Sequence, residues 1–196
     1  MHLFRSTVLV SALLLSLAAC AGPQPAAKAA RTMSFADKPS VSLDVAEVRI
    51  TSEYEPAGQG AWVQDSFPVS PVAAVRQWAN DRLKATGRDG NVHVIVKEAG
   101  IRSVPLQKTA GIKGFFTKDH TEQYEGKITV EVIGKSDERK MSGAADATVQ
   151  RTVSVPEDAS PAQRESIQYE MVKKMMQDLD EKLTQAVQVY LAPFVK

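Results

Sequence analysis

The spacing of apolar residues along the chain predicts four strands and two helices. In four segments apolar residues occupy every second position, which is the period of a strand with one buried face. In two further segments they recur every three or four residues, which is the period of a helix with one buried face. The predicted order is β-α-β-β-β-α, with strands at 41–54, 91–97, 123–134 and 140–155 and helices beginning after residues 70 and 160.

Local signals mark the ends of these elements. Ser70-Pro71 and Ser160-Pro161-Ala162-Gln163 each place an N-cap serine before a proline, and the second also has the spacing of a capping box. Gly87 is the expected end of the first helix, and Pro193 stops the second. The strand at 41–54 slips by one residue near Ala46, as a β-bulge would produce.

These elements predict an α+β fold, a two-layer sandwich in which two helices cover one face of a four-stranded, mostly antiparallel sheet. The second strand is expected to end at Lys97, and its resumption at 101–106, after Gly100, is the open alternative. Met171, Met175 and Met176 are expected in the core, with an adaptable ligand surface as the alternative. The apolar stripe expected to face the sheet from the second helix consists of Val172, Met175, Leu179, Leu183, Ala186, Val187 and Tyr190.

The first twenty residues have the pattern of an export signal. Arg5 precedes an apolar run at 7–17, which is shorter than the roughly 20 residues that span a bilayer. Leu17-Ala18-Ala19-Cys20 follows, and it resembles the lipobox of bacterial lipoproteins. In that family the cysteine thiol carries a diacylglycerol, the signal peptide is cut off before the cysteine, and the new amine is acylated. The alternative is an ordinary signal peptide followed by a chance cysteine.

This resemblance implies a signal peptide at 1–19, a lipid-anchored Cys20 and a flexible tether, rich in alanine and proline, over 20–40. One globular domain is expected over 41–196. Ala21 follows the cysteine in place of the aspartate that tends to retain lipoproteins at the inner membrane. The resemblance therefore implies a location in the cell envelope, at the outer membrane facing the periplasm.

The net charge and the residue types of the chain exclude several classes of function. The chain from Cys20 onward has 23 basic and 23 acidic residues, so no nucleic-acid partner is expected. Cys20 is the only cysteine, so no internal disulfide can form. His93 is expected on a polar strand face and His120 in a loop. The chain has neither histidines at ligand spacing nor a phosphate-binding loop, so we expect a non-enzyme without metal or cofactor.

One connection is unusually long for a hairpin. Residues 107–121 join the second and third strands, and such loops in compact domains are commonly functional. We expect the loop to contact a protein partner or anionic membrane lipid, because its aromatic residues stand among cations. The alternative is that the two phenylalanines pack under the sheet edge. The predicted contact residues are Ile112, Lys113, Phe115, Phe116 and Lys118.

The layout as a whole resembles the lipopolysaccharide-assembly lipoproteins, which sit inside a large outer-membrane barrel. The nearest stretches are Gly114–Val132 and Tyr169-Glu170-Met171-Val172. The auxiliary lipoproteins of envelope ABC transporters have a similar order of elements, while the segment 55–68 fits neither family well. The resemblance implies an accessory, non-enzymatic subunit of an outer-membrane assembly or lipid-transport machine, with a barrel or transporter component as partner. A periplasmic lipid-binding carrier and a structural envelope lipoprotein are the alternatives.

Overall fold

The computed structural model describes residues 31–57, 61–106 and 120–196, except for the side chains of His120 and Thr121. Within these ranges the chain forms two α-helices, α1 and α2, and six strands. Short 3-10 helices at Gln64–Ser66 and Ala192–Phe194 complete the regular structure. The elements are β1 Val41–Leu43, β2 Glu47–Ser52, α1 Pro71–Arg82, β3 Leu83–Ala85, β4 Asn91–Pro105, β5 His120–Ser136, β6 Met141–Pro156 and α2 Pro161–Tyr190.

The main sheet has the strand order β2-β4-β5-β6. The two central pairs, β4 with β5 and β5 with β6, are antiparallel, and only β2 joins the sheet in parallel. Strands β1 and β3 form a separate parallel pair. The predicted α+β fold with a mostly antiparallel four-stranded sheet is therefore confirmed.

One face of the sheet is buried under the helices. Alternate residues of each strand enter this layer, as the apolar periodicity predicts. A register shift between Val96 and Glu98 keeps Ala99 and Ile101 on the buried face. β4 therefore runs without a break from Asn91 to Pro105, through the segment where the sequence left open a resumption of the strand that was expected to end at Lys97. The fully buried residues of β4 and β5 are Val92, Val94, Val96, Ala99, Ile101, Ile128, Val130 and Val132.

The strand predicted at 41–54 is in fact two strands in different sheets, so the predicted bulge near Ala46 is wrong. β1 pairs with β3, whereas β2 pairs with β4. Between them the Ala46 amide donates to the Gly90 carbonyl and the Gly87 amide donates to the Val45 carbonyl, both at 3.0 Å. The one-residue slip in the apolar pattern thus marks a change of pairing partner.

Helix α1 begins as predicted and ends earlier. The Ala73 amide donates to the Ser70 hydroxyl at 3.3 Å, which confirms Ser70 as the N-cap. Gly87 is not the end of the helix, because Leu83 already has an extended backbone and starts β3. Gly87 instead lies against the backbone that follows β1, where a Cβ atom would come within 2.5 Å of the Asp44 carbonyl carbon.

Helix α2 has the predicted capping box, formed by Ser160 and Gln163, and it packs across β6 and β5. Tyr190 is an exception to the predicted stripe, since it is 65% exposed. The last turn of α2 approaches β6 through its backbone, because the Tyr190 carbonyl oxygen would lie 2.8 Å from a Cβ atom on Gly143. Within the described residues no helix has both the length and the apolar character needed to cross a bilayer.

The end of the predicted tether packs on the domain. Met33 and Phe35 are 6% and 5% exposed and belong to the main hydrophobic core. The Phe35 amide donates to the Asp81 carboxylate at 2.7 Å, and Arg31 lies 5.6 Å from the centre of the Tyr169 ring. The packed part of the chain therefore includes residues before 41 that were predicted to belong to the tether.

Candidate functional site

The predicted functional residues lie outside the described part of the chain. This holds for Cys20 and for the loop residues Ile112, Lys113, Phe115, Phe116 and Lys118. Their neighbourhood is described, because β4 ends at Pro105 and β5 starts at His120. The backbone of His120 thus belongs to a strand, opposite Pro156, and the prediction that it lies in a loop is wrong.

An open cavity of about 580 Å³ lies near this end, on the sheet face away from the helices. Its aromatic wall is formed by Tyr54 and Trp62, whose rings meet edge to face at 6.5 Å. Both rings rest on Gly100, where a Cβ atom would come within 2.5 Å of the indole and 2.6 Å of the Tyr54 hydroxyl. Gly100 is therefore required for the aromatic pair to lie this close to the sheet.

Two hydrogen-bond donors of this cavity lack partners among the described residues. The Tyr54 hydroxyl and the Trp62 indole nitrogen are both buried atoms without a hydrogen bond. Burial raises the pKa of Tyr54, and the carboxylates of Glu98 and Asp65 raise it further. Tyr54 is thus a neutral phenol at physiological pH, and neither donor atom is exposed to solvent in the cavity.

The charges around the cavity are balanced. Lys127 pairs with Glu98 at 2.7 Å, and Arg102 pairs with Glu125 at 3.6 Å. Arg102 also lies 5.7 Å from the centre of the Trp62 ring. The hydrogen bond to Glu53 raises the pKa of Lys97, so this amine stays charged. Paired charges of both signs give the cavity no strong attraction for either anions or cations.

His93 and the three methionines of α2, which the sequence analysis considered as possible ligands, have structural roles. His93 stands on the open sheet face, where its Nε2 atom lies 2.7 Å from the Thr51 hydroxyl. Met171, Met175 and Met176 are at most 1% exposed and belong to the core, as expected. Within the described ranges no group of three or more His, Cys, Asp or Glu side chains could hold a metal ion.

A buried carboxylate that the sequence analysis missed connects both helices to the N-terminal segment. The Asp180 side chain is 4% exposed and accepts hydrogen bonds from three donors. The Trp78 indole and the Arg82 Nε atom each lie at 2.7 Å, and the Lys38 amine at 2.6 Å. Burial alone would raise the pKa of Asp180, but the hydrogen bonds from Lys38, Trp78 and Arg82 lower it overall.

This network was detectable in principle from the sequence. Asp180 follows Met176 by four residues and precedes Leu183 by three, so helical periodicity places it on the apolar side of α2. A charge in such a position requires a partner. The identity of the partners, however, follows only from the packing of α1 and of the N-terminal segment against α2.

No family model and no curated protein matches the chain. Among solved structures it is similar to a candidate lipoprotein from Caulobacter crescentus, with 11% identity, a TM-score of 0.41 and coverage of 74% of this chain and 90% of that one. It is also similar to a minor lipoprotein from Acinetobacter baumannii, with 12% identity, a TM-score of 0.34 and coverage of 71% and 92%. A Xanthomonas campestris protein of family DUF330 has 12% identity and a TM-score of 0.31, with coverage of 76% and 85%. At these values the likenesses do not bear on function.

Proposed function

We propose that the protein is an envelope lipoprotein, anchored through Cys20, that serves as a non-enzymatic accessory subunit of an outer-membrane assembly or lipid-transport machine. The proposal rests on the lipobox sequence Leu17-Ala18-Ala19-Cys20. The loop at 107–121 is the proposed contact with the barrel or transporter component.

The docked N-terminal segment supports a location close to the membrane. Eleven residue steps separate Cys20 from Arg31, which span at most about 40 Å even when fully extended. From Arg31 onward the segment is held by Tyr169, Asp81 and Asp180. A lipid on Cys20 would therefore keep the domain within reach of integral membrane partners.

Close packing of α2 on β5 and β6 at two glycines favours an accessory subunit over a carrier that holds its lipid at those positions. A carrier would need an apolar cavity in this layer. Above Gly126 the space is filled by Met171 and Met175, whose Cε and Sδ atoms would lie 2.7 Å and 2.9 Å from an added Cβ. The small residues of β6, which could have left a cavity, instead allow close packing, as at Gly143.

Replacement of the cysteine tests the anchor. We expect Cys20→Ser to accumulate as unprocessed precursor or to leave the membrane fraction, because acyl chains contribute about 0.8 kcal/mol per buried methylene group to membrane binding. Cell fractionation with immunoblotting measures both outcomes. Ala21→Asp serves as the matched variant, since it should keep the lipid and move the protein toward the inner membrane. A Cys20→Ser protein that still fractionates as a mature membrane protein would contradict the proposal.

A further inference from the structure

The two edges of the main sheet differ in how they are covered. At one edge β2 pairs with residues 91–96 of β4, and Trp62 bridges to Arg102 farther along the same strand. At the other edge lies β6, and among the described residues no strand pairs with its outer side. Edge strands are commonly protected by lysine, proline or bulges. From Met141 to Val155 strand β6 contains neither residue and pairs with β5 without a register shift.

The backbone of β6 offers hydrogen-bonding groups along this edge. The Lys182 amine reaches from α2 and donates to the Thr148 carbonyl at 3.0 Å. The hydroxyls of Thr148 and Thr129 also lie 3.0 Å apart, a separation that suits a pair not joined by backbone hydrogen bonds. Thr148 therefore directs its backbone groups away from β5. In an antiparallel strand every second residue does the same, so Gln150 and Thr152 also present N–H and C=O groups at the edge.

Apolar surface lies at both ends of this edge. At one end Pro156, Ala159, Ala162 and Ile167 line a groove of about 430 Å³ between the end of β6 and the start of α2. At the other end Val189 and its neighbour Tyr190 are 60% and 65% exposed, the large hydrophobic residues most open to solvent in the described chain. Val189 follows Lys182 by two helical turns and so lies on the β6 side of α2.

We propose that a second copy of this chain docks on β6, with the two β6 strands antiparallel about a twofold axis at Gln150. The axis makes the edge self-complementary, because it pairs each residue with the one equally far on the other side of Gln150. On the helix side Ala147 then faces Val153 of the second copy, and Ala145 faces Val155. On the open side Thr148 faces Thr152. Small residues meet β-branched residues at these two positions, while Val149 faces Arg151 at the pair nearest the axis.

The same axis brings the apolar end of one copy to the groove of the other. Along the strands, Met141 lies at the same height as Ala159 of the second copy, because both are nine residues from Gln150. The groove lies at this height. The last turn of α2, including Val189, lies over Gly143 and reaches that level too. Lys182 comes next to Asp178 of the second copy. Its amine can then pair with that carboxylate when the Thr148 carbonyl is taken up by the pairing of the two strands. The result is a closed dimer with one continuous eight-stranded sheet.

Cysteine cross-linking tests the register. Directly opposed residues of a hydrogen-bonded antiparallel pair have Cα atoms about 5.5 Å apart, which suits a disulfide. We expect Gln150→Cys in the purified full chain to form a disulfide-linked dimer under mild oxidation. The parent chain, with Cys20 alone, and Asp146→Cys are the controls. Two copies of residue 146 would be separated by roughly 27 Å along the strands and should not cross-link.

Sedimentation of the full chain in mild detergent tests the apolar contact. We expect Val189→Asp to weaken dimerisation at least tenfold, because it places a carboxylate in the groove of the second copy. Gln188→Asp adds the same charge on another side of α2 and should leave the dimer intact. The proposal is overturned if the parent chain sediments as a monomer at micromolar concentration. It is equally overturned if Asp146→Cys cross-links as well as Gln150→Cys, or if Gln150→Cys links only to other proteins.

Discussion

At the scale of single residues, the feature that most constrains the molecule is the carboxylate of Asp180. It joins α1, α2 and the N-terminal segment through three donors, although its own position in the chain indicates only an apolar helix face. Arg82 is 6% exposed at its side chain, and its buried Nη1 atom has no hydrogen-bond partner among the residues that the structure describes. A buried pair of this kind is sensitive to the loss of either member, because the remaining charge is left in a poorly solvated position.

We expect Asp180→Asn to lower the free energy of unfolding by about 3–5 kcal/mol at neutral pH, since Arg82 and Lys38 lose their counter-charge. The pH dependence should change as well. The pKa of Asp180 is lowered in the folded state, so its contribution is complete above the unfolded value near 3.8 and is lost as the pH falls through the folded value. The variant should therefore lose less stability than the parent chain on acidification below about pH 4. Urea unfolding at several pH values measures both effects.

Asp178→Asn is the matched control two residues away. Asp178 is 47% exposed at its side chain and pairs with Arg151 at 2.8 Å. Ion pairs at this exposure contribute about 1 kcal/mol or less. Equal losses of stability in the two variants would show that Asp180 is not a buried structural charge.

At the scale of elements, local sequence signals predict where elements begin better than where they end. Both N-cap serines act as predicted, because a cap depends on the few residues beside it. The end of α1 does not follow from Gly87, since the pairing of β3 with β1 draws Leu83 into a strand. The division of residues 41–54 between two sheets has the same cause. Pairing with a distant strand outweighs a weak local preference.

The packing of α2 on the sheet gives a direct test at this scale. We expect Leu183→Ala to lower the free energy of unfolding by about 2–5 kcal/mol, because Leu183 is fully buried and its loss leaves a cavity. Lys173→Ala, on the exposed side of the same helix, should change it by about 0.5 kcal/mol or less. Chemical unfolding followed by circular dichroism measures both. Unchanged stability of Leu183→Ala would mean that α2 is not packed on the sheet in solution.

At the scale of the whole molecule, the cavity and the apolar groove both lie toward the end of the sheet where β4 and β6 finish. β4 ends here at Pro105 and β5 starts here at His120. The cavity beside Trp62 and Tyr54 lies on the open face near that end, and the groove at Ala159 lies across the sheet from it. The docked N-terminal segment contacts α2 on the helix side. The N-terminal segment and the cavity therefore lie on opposite sides of the sheet.

We expect the double variant Phe115→Ser, Phe116→Ser to keep its melting temperature within about two degrees, since substitutions at exposed loop tips cost little. It should nevertheless lose the envelope partner, because aromatic anchors commonly contribute about 2 kcal/mol or more to an interface. Thermal melts and co-purification in mild detergent, compared on the same preparation, measure the two properties. A large fall in melting temperature, with partner binding reduced only in proportion, would place these phenylalanines in the core.

Much of the fold could be predicted from the sequence, because its causes are local or periodic. The alternation in β4, β5 and β6 correctly predicts the face that the helices cover. The stripe of α2 correctly predicts the buried residues Val172, Met175, Leu179, Leu183 and Val187. The lipobox is likewise a local pattern, and the prediction of an anchored Cys20 depends on it alone. The long loop is recognisable as a candidate contact from its length and composition.

Tertiary structure alone decided the features that depend on residues far apart in the chain. Residues 31–40 look like a tether by composition, yet Met33 and Phe35 are buried because α1 and α2 leave an apolar surface for them. The cavity at Gly100 requires Tyr54 and Trp62 to lie on β4. The position of β6 at the edge of the sheet, among the described strands, depends on which strands pair. The alternation of apolar and polar residues determines which face of each strand is apolar. Which strand or helix packs against that face depends on residues far away in the chain.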